Sequence, residues 1–246
     1  MNTIGIKQKL QEIEVPLESL PLGDFDQIGE FTAKKNRDPG SKLYKEVGCF
    51  FRPNYERGLL LYSLVKRFEI NSYLEIGFGR GYSAFCVAKA MTDMGIAGSV
   101  NTIDPAFSKD HIERLFQIFP KEWCEKINFI SNTSQQALPE IKEKFDLVYI
   151  DGDHTYEAVK SDWQMTKDKY NKFLLFDDYH LPTKDSGPGI QVSRLIDEIQ
   201  DDTKELIIMD RRVFLDDRGY TDDMIDYGQV LLTNSDFDTS RFVKGW

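Results

Sequence analysis

The sequence predicts an α/β fold, a doubly wound mixed sheet of seven strands with helices on both faces and an N-terminal appendage. Three observations carry that expectation. Ser72-Tyr-Leu-Glu-Ile76 reads as a buried strand running into Gly77, Gly79 and Gly81, after which Phe85, Ala88 and Met91 recur at helical spacing. Downstream, short apolar runs alternate with amphipathic segments, the pattern of parallel strands joined by crossover helices. Two final apolar runs, Glu205–Met209 and Gly228–Leu232, have no helical period between them and are expected to pair antiparallel at one edge.

A chain of 246 residues can bury one such domain with a segment to spare. It carries 31 basic against 41 acidic residues, a net charge of −10, so a nucleic-acid or anionic membrane partner is not expected and a small-molecule acceptor fits better. Cys49, Cys86 and Cys124 form no CxxC pair, which points to a reducing cytoplasm rather than a disulfide or zinc framework. Met1–Leu10 lacks the apolar core of a signal peptide, and no run approaches membrane-spanning length.

Taken in order, Ile6, Leu10 and Ile13 share one face of a short helix that ends before Pro16. The polar run 33–42 reads as loop, and Gly48-Cys-Phe-Phe-Arg-Pro53 is an aromatic patch that docks the appendage, closes over a substrate or serves a homo-oligomer. Residues 1–53 are therefore set apart from a domain spanning 54–246. A leucine-rich helix covers Asn54 to Phe68. After the glycine turn and its helix, Ser99–Ile103 forms the second strand and ends on Asp104, about twenty residues past the glycines, where an acid can accept from both hydroxyls of a ribose. Ser108 caps a helix with Ile112, Leu115, Phe116 and Phe119 that stops at Pro120. Ile127–Ile130 is the third strand and leads into Ser131–Ile141.

Asp146–Ile150 is the fourth strand, followed by Asp151-Gly-Asp-His-Thr-Tyr156 and a helix capped by Thr155. Lys172–Phe176 is the fifth and ends on Asp177-Asp178-Tyr179-His180, before a breaker-rich loop at 181–189 and a helix from Val192 to Ile199. Ligands of an open parallel sheet sit beyond the carboxyl ends of its strands, so Asp151, Asp153, Asp177 and Asp178 are expected to converge on one rim. Like charges at that range need protons or a cation. With oxygens offered and the imidazoles distal, the cation is Mg²⁺, or Mn²⁺ as a substitute. Such an ion would grip an acceptor hydroxyl and stabilise its anion as an oriented nucleophile.

The glycine spacing departs from the dinucleotide fingerprint, because Tyr82 stands where a third glycine would follow Gly77 and Gly79. Glu75-x-Gly77-x-Gly79-x-Gly81 instead resembles motif I of the class I S-adenosylmethionine-dependent methyltransferases, whose fold is Rossmann-like. The resemblance covers about residues 55 to 233. It implies that Glu75, Gly77, Gly79 and Gly81 wrap the methionine end of the cofactor, that Asp104 takes its ribose, and that Asp151 borders it. Ser134-Gln135 is similar to a pair that lines the adenine in the catechol O-methyltransferase branch. Ile150–Tyr156 and Phe176–His180 together resemble the metal-dependent O-methyltransferases of macrocin and aminocoumarin sugars, which implies Asp151, Asp177 and Asp178 as ligands of Mg²⁺ (or Mn²⁺) and Asp153 as base.

Catechol-type relatives place a basic lysine where this chain has His154, so both Asp153 and His154 stand as candidate bases; an imidazole has the better unperturbed pKa near neutrality. Relatives often carry Pro-Gly-Gly before the fifth strand, whereas this chain has Lys169-Tyr-Asn-Lys172. The expectation is an S-adenosylmethionine-dependent, metal-assisted O-methyltransferase for a small sugar or phenol. The alternatives are a metal-independent N- or carboxyl methyltransferase and a non-catalytic cofactor-binding module.

Overall fold

In the computed structural model, residues 1–13, 55–180, 191–209 and 227–241 are described. The expectations for the polar run 33–42, the aromatic patch 48–53, the loop 181–189 and the connection 210–226 fall outside them. The strands are β1 (Asn2–Gly5), β2 (Ser72–Ile76), β3 (Ser99–Ile103), β4 (Ile127–Ile130), β5 (Phe145–Ile150), β6 (Tyr170–His180), β7 (Glu205–Ile208) and β8 (Tyr227–Thr233). They form one sheet in the order β1-β7-β8-β6-β5-β2-β3-β4, in which β8 alone runs antiparallel to its neighbours. The order of the strands reverses between β2 and β5, which run parallel, and their carboxyl ends stand level with that of β3 through Ile150↔Ile76↔Ile103. That places the glycine turn and the loop after β5 side by side.

The strand count differs from the expected seven by β1, which pairs parallel with β7 in the register Asn2↔Glu205 to Gly5↔Ile208. Lys9 and Asn2 both bind the Glu205 carboxylate and tie this edge down. A second difference is the length of the fifth expected strand. β6 runs on through Asp177 and Asp178 to His180, with a register shift between Phe176 and Tyr179 and a positive φ of 54° at Asp178. A bulge of this kind re-aims one side chain without ending the ladder. Successive residues of a regular strand face opposite sides of the sheet, so the bulge is what lets both carboxylates serve one rim.

Helices α1 (Ile6–Glu12), α2 (Tyr55–Phe68), α3 (Tyr82–Asp93), α4 (Lys109–Phe116) and α5 (Lys121–Cys124) precede α6 (Ser134–Ala137), α7 (Tyr156–Thr166) and α8 (Val192–Glu198). The first five pack with Tyr73, Leu147, Tyr149, Phe173, Leu175 and Leu231 on one face of the sheet. On the other, α6 to α8 cover Leu74, Ile76, Val148, Ile150, Leu174 and Phe176. Burial on both faces explains why β5 reads as a continuous apolar run after Asp146. Helices α2 and α3 meet closely at Gly58, where a Cβ would lie 2.5 Å from the Tyr82 hydroxyl and 2.9 Å from Cys86 Sγ. This close approach fixes the height of the neighbouring Arg57. Among the described residues no helix is long and apolar enough to cross a membrane.

Candidate active site

The turn after β2 is built from backbone conformations that side chains resist. Gly77, Gly79 and Gly81 have φ of 91°, 54° and 85°. A Cβ on Gly77 would sit 2.1 Å from the carbonyl oxygen of Asp151, so at this point the glycine turn touches the loop after β5. A Cβ on Gly79 would meet nothing within 4 Å. The turn therefore leans on the acidic loop at one end and offers open space in the middle, as a cradle for a bound molecule requires.

Asp104 closes this cradle from the end of β3. One carboxylate oxygen accepts from Gly79 N–H at 2.9 Å and the other from Ala106 N–H at 2.7 Å. Glu75 lies beneath the turn, fully buried, where it accepts from the Ser83 hydroxyl; burial pushes its carboxyl well above the usual range. Ser134 and Gln135 divide, since Gln135 is exposed while Ser134 is buried and donates to Asp162 at 2.5 Å.

Asp162 carries a consequence for stability. Burial raises its carboxyl to about 6. The folded state thus holds the proton more tightly than the unfolded chain between about pH 4 and pH 6, so stability falls as pH rises through that window and stays lower above it. A shift of about two units corresponds to roughly 3 kcal/mol. Asp162→Asn keeps an oxygen for Ser134 and removes the charge. It is expected to raise the melting temperature at pH 8 and leave it nearly unchanged at pH 4; an equal shift at both would exclude the ionisation as the cause.

The acidic rim comes together around one arginine and two histidines, Arg57, His154 and His180. Arg57 Nη1 donates to Asp151 Oδ2 at 2.8 Å, and Arg57 Nη2 donates to Asp177 Oδ2. Gln229, buried on β8, donates to Asp177 Oδ1 at 3.1 Å and to the Tyr149 hydroxyl at 3.0 Å. On the other side His154 Nε2 lies 3.2 Å from Asp178 Oδ2 and 3.7 Å from Asp151 Oδ1, and His180 Nε2 is 4.0 Å from Asp178 Oδ1. The imidazoles are thus part of the rim rather than distal to it. Asp153 points elsewhere: it is exposed, and its Oδ1 accepts from Thr155 N–H at 2.9 Å to open α7.

Even with Arg57 present the rim is short of positive charge. Burial raises the Asp151 carboxyl to about 7 against the lowering influence of Arg57, and it raises Asp178 too, with the Asp177 charge adding to the effect. The His154 imidazole is raised in turn, chiefly by its contact with Asp151. Asp151, His154 and Asp178 each offer one ligand atom, all within 4.8 Å of one another, so a divalent cation fits the donor set and would relieve the repulsion.

Residues 74–179 match the family model described as a methyltransferase domain. No curated protein matches the chain. Among solved structures, the O-methyltransferase TomG from Streptomyces achromogenes, involved in tomaymycin synthesis and solved with S-adenosylmethionine, is 17% identical. Its TM-score is 0.56, over 78% of this chain and 86% of TomG. An O-methyltransferase from Bacillus cereus in complex with S-adenosylhomocysteine is 14% identical with a TM-score of 0.57, over 92% of this chain and 96% of that one. The Podospora anserina methyltransferase PaMTH1, also bound to S-adenosylhomocysteine, is 14% identical with a TM-score of 0.50, over 88% and 97%. At such identities the likeness is one of fold, and it agrees with the glycine turn and strand order found here. Residues 74–179, somewhat under half of the chain, are thus similar to a methyltransferase domain, and the chain shares the fold of these methyltransferase structures.

Proposed function

We propose that this enzyme is an O-methyltransferase, assisted by a divalent cation in the cytoplasm, that acts on a hydroxyl of a small molecule such as a sugar or a phenol. The observation that carries the reading is the contact of Gly77 with the Asp151 backbone, which sets a cation-competent rim against the cofactor turn. S-adenosylmethionine would supply a methyl on a sulfonium, and the divalent ion would hold and acidify the acceptor oxygen. The chain's own residues do the remaining work. Gly79 leaves room for the cofactor, Asp104 receives its ribose while anchoring the turn, and Asp151 stands between cofactor and acceptor. Asp153 and His154 are the two candidate acceptors of the hydroxyl proton, and of them His154 stands in the rim while Asp153 points away from it. An imidazole that coordinates an ion cannot also accept that proton, so His154 can fill only one of the two roles.

Calorimetric titration with S-adenosylhomocysteine tests the cofactor half. Micromolar binding is expected, and Gly79→Ala should cost no more than about 1 kcal/mol of stability while weakening binding about tenfold or more. Unaltered affinity in that variant would move the cofactor away from the turn. Methyl transfer to phenolic or sugar acceptors should fall in a strong chelator and recover on adding Mg²⁺ or Mn²⁺. Insensitivity to chelator would favour a second reading, for which Arg57 is the specific support: a metal-independent transferase whose guanidinium is the cation of the rim.

A further inference from the structure

Asp151 faces nitrogen on two sides, a guanidinium and an imidazole, and the two sides are not equivalent. Its Oδ2 accepts from Arg57, while its Oδ1 faces His154 Nε2. Asp177, the other carboxylate held by Arg57, is only 1% exposed, and its second oxygen accepts from Gln229. An ion at Asp177 would have to displace the guanidinium, the amide, or both. Asp178 is different: the bulge with φ of 54° turns it toward His154, 3.2 Å from Nε2, and its side chain is 21% exposed. Two donors at right angles around an ion at 2.0–2.1 Å stand about 3 Å apart. The His154–Asp178 separation meets that already, and Asp151 needs only a small turn.

Granted the metal reading above, we infer that the divalent ion is held by Asp151, His154 and Asp178, and that Asp177 is the fixed partner of Arg57 rather than a ligand. Imidazole in the set shifts the preference toward an ion that accepts nitrogen, Mn²⁺ before Mg²⁺. Arg57 then positions the site, by orienting Asp151 so that its other oxygen points to the ion.

The test is titration of the full chain with Mn²⁺ alone, followed by the paramagnetic resonance signal of the free ion. One Mn²⁺ per chain is expected, bound at least about tenfold more tightly than Mg²⁺. Bound Mn²⁺ should show imidazole nitrogen modulation in the pulsed spectrum, a readout that needs no variant. His154→Ala should abolish the modulation and weaken binding about tenfold or more, whereas Asp177→Asn should change affinity by less than about threefold. Thermal unfolding of each variant shows that it is folded. Binding lost in Asp177→Asn but kept in His154→Ala, or bound Mn²⁺ without nitrogen modulation, would overturn this ligand set and leave metal assistance standing. No Mn²⁺ binding at all would overturn both the ligand set and metal assistance, while the titration with S-adenosylhomocysteine reports on the cofactor independently.

Discussion

Replacing Arg57 by methionine is expected to lower the unfolding free energy by about 3 kcal/mol, because it strands a buried carboxylate. Arg57 spans Asp151 and Asp177, with side-chain exposures of 18%, 15% and 1%. Methionine fills much of the same volume, so the loss is chiefly electrostatic. Breaking one side of a buried pair costs 3–5 kcal/mol as a rule, and the partial exposure of Arg57 puts this case at the lower end. In a chain of this size that is a fall of roughly 6–12 °C in melting temperature. The sharper check is the double variant. Asp177→Asn keeps an oxygen for Gln229 and removes the stranded charge, so Arg57→Met with Asp177→Asn should regain more than half of the loss. Two additive effects in urea unfolding would mean that the guanidinium and Asp177 are not coupled as their contact requires.

Gly77→Ala should be more severe still, with a loss of about 4 kcal/mol or more and no binding of S-adenosylhomocysteine by what remains folded. The φ of 91° is a region that alanine resists, and its methyl would lie 2.1 Å from a backbone oxygen. Neither side can withdraw. Gly77 N–H is bonded to Ile103 O at 2.9 Å and Asp151 N–H to Ile76 O at 2.9 Å, so relief must come from opening β2 against its neighbours. Gly79, two residues on, is the control, since the same substitution there meets open space. Wild-type thermal stability in Gly77→Ala would show that the two loops do not touch as described.

The contrast between those glycines shows what the sequence could reveal. Strand, turn and helix were legible from β2 through α3 because apolar period and glycine spacing are local properties. The same holds for β3 to β5, for α7, and for α1, whose buried Ile6, Leu10 and Ile13 are three and four residues apart. β1 was not legible: Asn2-Thr-Ile-Gly5 offers one buried apolar side chain, and only its partner β7 makes it a strand. The extension of β6 through two aspartates was hidden for a similar reason, since acids are poor strand formers and the bulge that admits them exists only in the pairing with β8. Asp151, Asp177 and Asp178 could be placed at the rim from strand ends alone, whereas Asp153, expected with them, caps α7 instead. Their cation could not, because Arg57 belongs to no motif. Its one local signal is the adjacent Gly58, and that glycine has meaning only once α3 lies against it. Gln229 and the partnership of Ser134 with Asp162 likewise join residues distant in sequence, which no spacing rule reaches.

The outermost pairing of the sheet bears on how the chain assembles. β2 through β5 are joined by short connections, so a growing chain can lay them together soon after they emerge from the ribosome. Asn2 instead waits for Glu205, and the strand between β7 and β6 is β8, the last of all. Closing so long a loop is entropically slow, although each doubling of its length adds only about 0.6 kcal/mol. The rim of carboxylates shares this delay, because Gln229, which holds Asp177, arrives with β8. The glycine turn is therefore expected to gain protection from hydrogen exchange before the acidic rim does, and the rim to mature last.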